Sequence, residues 1–394
     1  MGNEFDFDRL IAPVGTRAFF RDYYEQRHLV VKREVPFFYE SIIDLETILR
    51  FIESHPMTGD DVTMVKLGET QVRADYTGAD HRADPRQVLR MYADGWTITL
   101  DNMERFVPAL AGLCRAAEHA FSARFQTNLY LTPPNAQGFR AHWDTHDVFV
   151  LQIHGSKAWS IYDARIPLPL PGQSFNVEPQ DLGAVSDEFV LNAGDLLYCP
   201  RGLMHAAHTS AETSLHITFG LMARSWADLM VEAVAGCCLA DPELRRNLPV
   251  GFARGDYDRA QAAAIFDRLL AGLKDSVDFS AAFADMRDRF VVSRIPGVDG
   301  QARQLAMLDR LTLDSRAGAR PHAIFHVEQD EETVTVAFGG NVVTLPAFAG
   351  DAVRAALNGT DYCPRDLPGE LDDDGKLTVV RRLIREGLVV ARGI

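Results

Sequence analysis

Apolar residues along this chain recur with two different periods, and the switches between the periods divide it into three stretches. From about 125 to 221 they come in short unbroken runs or at every second position: VFVLQI at 148–153, KAWSIY at 157–162, LLYC at 196–199 and SLHITFGL at 214–221. Runs of this length, rich in β-branched and aromatic residues, predict strands buried on at least one face. Pro167, Pro169 and Pro171 in RIPLPLPGQ remove donors from any ladder, so a loop between core strands is expected there.

Ahead of these strands, FDRLIAPVGTRAFFRDYYEQ reads as a helix turning its aromatic residues to a core, followed by a short strand in HLVVKR. Helices are also expected at 42–52, with Asp44 and Glu46 in its first turn, at 85–92 and at 104–121, with a short strand in GWTITLDNM. DVTMVKLG and TQVRADY both alternate and predict a hairpin. Behind the strands the pattern turns helical from 226 to 315: WADLMVEAVAGCCLA, a segment started by Asp241 and Pro242, then 256–274 and 279–289. Alternation returns from about 320 in HAIFHVE, TVTVAF and NVVTLP, with helices at 347–357 and 377–386 before LVVAR. This order predicts a mixed α and β protein: a double-stranded β-helix with N-terminal helices over 1–225, a helical region over 226–315, and a third region over 316–394.

Composition narrows the function classes. The chain of 394 residues is 47% hydrophobic, long enough for two or three domains with sizeable cores. It holds no run of eighteen apolar residues, and MGNEFDFDRL is acidic, so neither a membrane span nor a secretory signal is expected and a cytoplasmic location is. Five cysteines without C-x-x-C spacing argue against a disulfide framework or a structural zinc. The net charge of −15 disfavours direct nucleic-acid binding and suits a basic protein or peptide partner, although it serves solubility equally well.

The residues with chemistry cluster in the strand-rich stretch. His142 and Asp144 form an H-x-D pair, and on an extended segment positions two apart share a face. With His205 from GDLLYCPRGLMHAAH they make two imidazoles and a carboxylate, the facial triad of non-haem iron oxygenases. His208 and His216 are rivals to His205, and a core histidine satisfied by hydrogen bonds is the plainer reading of His216. Lys157 opens an apolar strand, where a buried ammonium needs an anion; a surface lysine at a hairpin tip is the alternative.

Together N-x-Y-L-T-P-P-N-x-Q-G-F, H-W-D, D-V-F-V-L-Q, G-x-K-x-W and C-P-R-G-x-x-H resemble the JmjC-type ribosomal oxygenases, cupin-like 2-oxoglutarate-dependent protein hydroxylases, through roughly 128–221. The resemblance implies that His142, Asp144 and His205 bind Fe(II), that Lys157, Tyr130, Asn128 and Thr218 line the 2-oxoglutarate pocket, and that dioxygen is the third reactant. It implies hydroxylation of a side chain, at the β-carbon of arginine or histidine, in a ribosomal protein or a ribosomally made peptide. It also implies a homodimer formed by the helical region and a winged-helix domain at the C-terminus; ELDDDG just before that domain's second helix would repel DNA. His146 and Trp143 depart from the family pattern and leave the substrate open. A non-catalytic cupin-like sensor is the competing class, which the dicarboxylate anchor Lys157 argues against; histone demethylation lacks any visible chromatin-reading module.

Overall fold

The computed structural model describes residues 5–173 and 182–393. The chain divides into two compact units, Met1–Ala223 and Arg224–Ile394. The first unit runs α1 (Phe7–Ile11), α2 (Thr16–Asp22), β1 (Leu29–Val31), α3 (Leu45–Ser54), β2 (Val62–Val65), α4 (Pro85–Ala93), β3 (Thr97–Leu100) and α5 (Pro108–Phe121). Seven strands follow: β4 (Arg124–Thr132), β5 (Asp147–His154), β6 (Ser156–Arg165), β7 (Val185–Asn192), β8 (Leu196–Cys199), β9 (Leu203–His208) and β10 (Ser214–Met222).

Among the described residues these strands form two antiparallel sheets, one of seven strands in the order β1-β8-β5-β10-β4-β3-β2 and one of three in the order β7-β6-β9. The larger sheet has two unlike faces because its central strands alternate. Phe125, Leu129 and Leu131 of β4 and Leu215, Ile217, Phe219 and Leu221 of β10 point outward into the main hydrophobic core with Phe7, Phe19, Phe121 and Phe149. Phe125 stacks on Phe219 with ring centroids 4.4 Å apart, and Phe19 meets Tyr198 edge-on at 4.8 Å. Each such side chain contributes about 1.5–3 kcal/mol by leaving water, so this face fixes the register. The opposite face carries Asn128, Tyr130 and Thr132 against Thr218, His216 and Ser214 in direct register, and turns them toward the smaller sheet. That is the double-stranded β-helix expected from the strand-rich stretch.

Several local expectations are corrected. The first helix is two, because Pro13 lacks a donor and Gly15 takes a φ of +79° between α1 and α2. The hairpin of DVTMVKLG with TQVRADY does not form: β2 pairs with β3, and residues 73–75 make a 3-10 turn. Val72 stays 49% exposed and Tyr76 alone is buried, so the alternation there had no sheet to serve. The helix expected from 104 starts at Pro108, the first position that needs no donor, after a 3-10 turn at Met103–Arg105. Asp241 and Pro242 begin only turns.

The second unit opens with α6 (Trp226–Ala240), α7 (Arg259–Ser276), α8 (Phe279–Val292) and α9 (Gln301–Ala306). It continues through β11 (Arg316–Ala319), β12 (Phe325–Gln329), β13 (Thr333–Phe338), β14 (Asn341–Pro346), α10 (Gly350–Asn358), α11 (Asp373–Arg385) and β15 (Val389–Arg392). β12, β13 and β14 form one antiparallel sheet, β11 and β15 another, and α10 and α11 bury Val353, Leu357, Val380 and Leu383 between them. The acidic run before α11 has a local cause: Asp372 is its N-cap, accepting from the Gly375 N–H at 2.8 Å, and Asp373 and Asp374 face the positive end of the helix.

Gly202 ties this scaffold to the site. Its N–H donates to the Asp144 carbonyl at 2.9 Å and its φ is +79°, while a Cβ there would lie 1.8 Å from the Ile166 carbonyl oxygen and 2.7 Å from Pro169 Cδ. Gly202→Ala is expected to destabilise the first unit by more than the ~1–2 kcal/mol that a left-handed backbone alone costs an L-residue. Thermal unfolding measures this as a lowered transition; an unchanged one contradicts the packing.

Candidate functional site

The segment carrying His142 and Asp144 lies between β4 and β5, and β9 closes onto it. His142 and His205 exchange both backbone hydrogen bonds, N–H to carbonyl, at 3.0 and 2.8 Å. Their rings come to 4.5 Å between centroids, and the Asp144 carboxylate lies 3.9 Å from Nε2 of His142 and 3.7 Å from Nε2 of His205. One ligand atom from each residue lies within 4.8 Å of the others, a spacing that one ion bridges.

Both imidazoles are oriented from behind. His142 Nδ1 is 2.9 Å from the Arg140 carbonyl oxygen, and His205 Nδ1 is 3.0 Å from that of Leu203. Each Nδ1–H therefore donates backward, and each Nε2 lone pair is left toward the site, as in histidine-ligated metal centres. Burial, then the neighbouring His142, holds the His205 imidazole below its ordinary value against the pull of Asp144, which keeps it neutral and able to ligate. A third anchor is buried Asp147, whose Oδ2 accepts from the Tyr198 hydroxyl at 2.9 Å and whose Oδ1 accepts from the Arg201 N–H at 2.8 Å, securing the turn that delivers His205.

Deeper in the barrel Lys157 is 6% exposed, and among the described residues its Nζ has one hydrogen bond, to Thr132 Oγ1 at 3.3 Å. Burial with only a neutral partner lowers its pKa to about 7. Around it stand Tyr130 and His216, stacked at 4.8 Å and 5° between planes, with Trp159 edge-on to His216 at 6.0 Å. Tyr130 lies on the same face as Asn128 and Thr218, and burial raises the pKa of its hydroxyl. Nδ1 of His216 and Nε1 of Trp159 are buried without hydrogen-bond partners among the described residues.

All seven residues singled out from sequence thus line one barrel: His142, Asp144 and His205 near the rim; Asn128, Tyr130, Thr218 and Lys157 further in. Of the rival histidines, His208 is exposed at the end of β9 and His216 sits beside Lys157, away from the three-residue cluster. The alternative of a surface lysine at 157 is corrected by its burial. Sequence reading gave no role to Thr132, to Trp159, or to Gln152 and Ser214, whose side chains hydrogen-bond at 2.8 Å. Trp159 was visible two positions beyond Lys157 on a strand, while the carbonyls of Arg140 and Leu203 leave no trace in side-chain identity.

Residues 100–229 match the JmjC domain. The bifunctional lysine-specific demethylase and histidyl-hydroxylase NO66 of Drosophila grimshawi is 34% identical over 312 residues, 73% of this chain and 42% of that protein. Ribosomal oxygenase 2 of Bos taurus is 30% identical over 304 residues, 74% of this chain and 64% of its own length. The chain belongs to the JmjC-type ribosomal oxygenase family. It spans about half the length of the first curated relatives it matches. Its fold is that of the Escherichia coli ribosomal oxygenase YcfD, with a TM-score of 0.52, 16% identity and coverage of 95% of this chain and 98% of that one. A further YcfD structure, with cobalt and 2-oxoglutarate, superposes at 0.53 with 14% identity.

The donor set suits a divalent first-row metal such as iron, and the buried ammonium suits a carboxylate. Asp144→Ala is expected to weaken Co(II) binding by more than the ~10–100-fold that losing an outer-shell partner costs. Calorimetric titration checks this, and affinity equal to the wild type removes Asp144 from the ligand set.

Proposed function

We propose that this protein is an Fe(II)- and 2-oxoglutarate-dependent oxygenase that hydroxylates an amino-acid side chain of a ribosomal protein, at the β-carbon of arginine or histidine. The observation that carries the reading is the pairing, inside one barrel, of a two-histidine, one-carboxylate cluster with a buried lysine that has no anionic partner among the described residues. The relatives support it: a histidyl-hydroxylase, a ribosomal oxygenase, and a fold neighbour solved with cobalt and 2-oxoglutarate.

In this reading His142, Asp144 and His205 hold iron on one face, and the iron with 2-oxoglutarate supplies the dioxygen activation that breaking an unactivated C–H bond requires. Lys157 neutralises the distal carboxylate of the co-substrate, while Tyr130, Thr218 and Asn128 offer hydrogen bonds beside it. Val148, Val150, Leu197 and Trp159 form an apolar lining that keeps water out. Five free cysteines suit a reducing compartment, and the proposal places the protein in the cytoplasm. No helix among the described residues is long and apolar enough to cross a membrane.

We further read α6–α9 as a homodimerisation surface and the remainder of the second unit as a winged-helix-like module that binds a basic protein rather than nucleic acid. α7 has no buried residue, and Phe266, Leu270, Phe279 and Phe283 are each more than half exposed, an apolar area that a second copy would cover. Light scattering at micromolar concentration should give twice 43.8 kDa; a monomer rules the surface out.

The decisive test of the chemistry is succinate release from 2-oxoglutarate by Fe(II)-loaded protein when oxygen is admitted, lost in His205→Ala. No release and no 2-oxoglutarate binding would move the protein to the sensor class. The affinity for 2-oxoglutarate should also depend on pH. The carboxylate binds the charged lysine, so affinity is flat below pH 7, where the ammonium is already formed, and falls as pH rises past about 7 because binding must then take up a proton. Lys157→Met should bind weakly and without that slope in anaerobic calorimetry.

A further inference from the structure

The inner wall of the barrel is built in layers set by strand register. Tyr130, His216 and Gln152 lie abreast on β4, β10 and β5, then Asn128, Thr218 and Val150, then Gln126, Gly220 and Val148. The last layer is level with the metal cluster: Val148 pairs with Cys199, whose Sγ is 3.6 Å from Nδ1 of His205. At that level β10 presents no side chain. A Cβ built on Gly220 would point inward, as the side chains of Thr218 and His216 do, and would lie 3.1 Å from both Cδ2 and Nε2 of His146. The imidazole of His146 therefore fills the space that the glycine leaves.

His146 is two residues beyond Asp144 and half-exposed, and its ring has no hydrogen-bond partner among the described residues. A flat ring whose two nitrogens make no hydrogen bond among the described residues stands on the inner wall at the height of the metal ligands. The main hydrophobic core lies on the other face of the sheet, and the inner apolar cluster around Val148, Val150 and Trp159 does not include His146.

We propose that His146, seated on Gly220, is the residue that selects the target side chain, presenting its flat face and ring nitrogens to a planar nitrogen-bearing group, an imidazole or a guanidinium, held beside the metal. This rests on the oxygenase reading and adds to it the position that reads the substrate. A planar nitrogen-bearing group can stack on the ring or exchange a hydrogen bond with one of its nitrogens, whereas a leucine side chain does neither.

The test uses the full chain loaded anaerobically with Co(II) and 2-oxoglutarate, titrated with four labelled peptides identical except for a central histidine, arginine, lysine or leucine. Wild-type protein should bind the histidine or the arginine peptide about tenfold more tightly than the leucine peptide, the scale of one hydrogen bond or ring stack. His146→Ala should bring that ratio close to one. Gly220→Ala, which keeps the imidazole but displaces it, should reduce the same ratio. Because each ratio is taken on one protein, a general loss of affinity does not mimic the effect. A wild type that does not discriminate overturns the proposal, as does a ratio that survives in both variants. Failure of the wild type to bind 2-oxoglutarate, seen before any peptide is added, would instead strike the oxygenase reading on which it rests.

Discussion

The two hydrogen bonds exchanged between the backbones of His142 and His205 hold together residues that the chain separates by most of the barrel. Everything else in the site depends on that short antiparallel contact. It sets the distance between the imidazoles, and the Gly202 N–H to the Asp144 carbonyl fixes the carboxylate against them. Backbone hydrogen bonds suit this task because their geometry does not vary with side-chain rotamer, and the carbonyls of Arg140 and Leu203 extend the same device to the rings.

The barrel interior is costly to build. Among the described residues, a lysine with one hydroxyl partner, and Nδ1 of His216 and Nε1 of Trp159 with none, all lie out of water. Buried polar groups left without partners destabilise a fold, and this sheet offsets the cost on its other face, where aromatic rings from α1, α2, α5 and four strands interlock. A stable outer face thus carries an inner face arranged for a ligand, the usual relation between a scaffold and its site.

The second unit shows how the same residue types serve different ends. Acidic residues ahead of α11 look like a repulsive patch when read as charge, yet Asp372 caps a helix and its neighbours face the dipole. The apolar residues of α7 look like core when read by period, yet none is buried.

What the sequence determined by itself was what is local or periodic. Alternation in β4 and β10 and the apolar runs in β5 and β8 specified strands, and a spacing of two put His142 and Asp144 on one face of an extended segment. The family motifs then named the seven site residues. Tertiary structure alone decided where the three histidines stand: strand pairing sets His205 against His142, leaves His208 in solvent and puts His216 beside Lys157. It also decided that β2 pairs with β3 instead of with the alternating segment after it. The seat of His146 on Gly220 belongs to the same class. Each is a contact between segments distant in sequence, and no local pattern encodes the partner of a strand or the space beside a glycine.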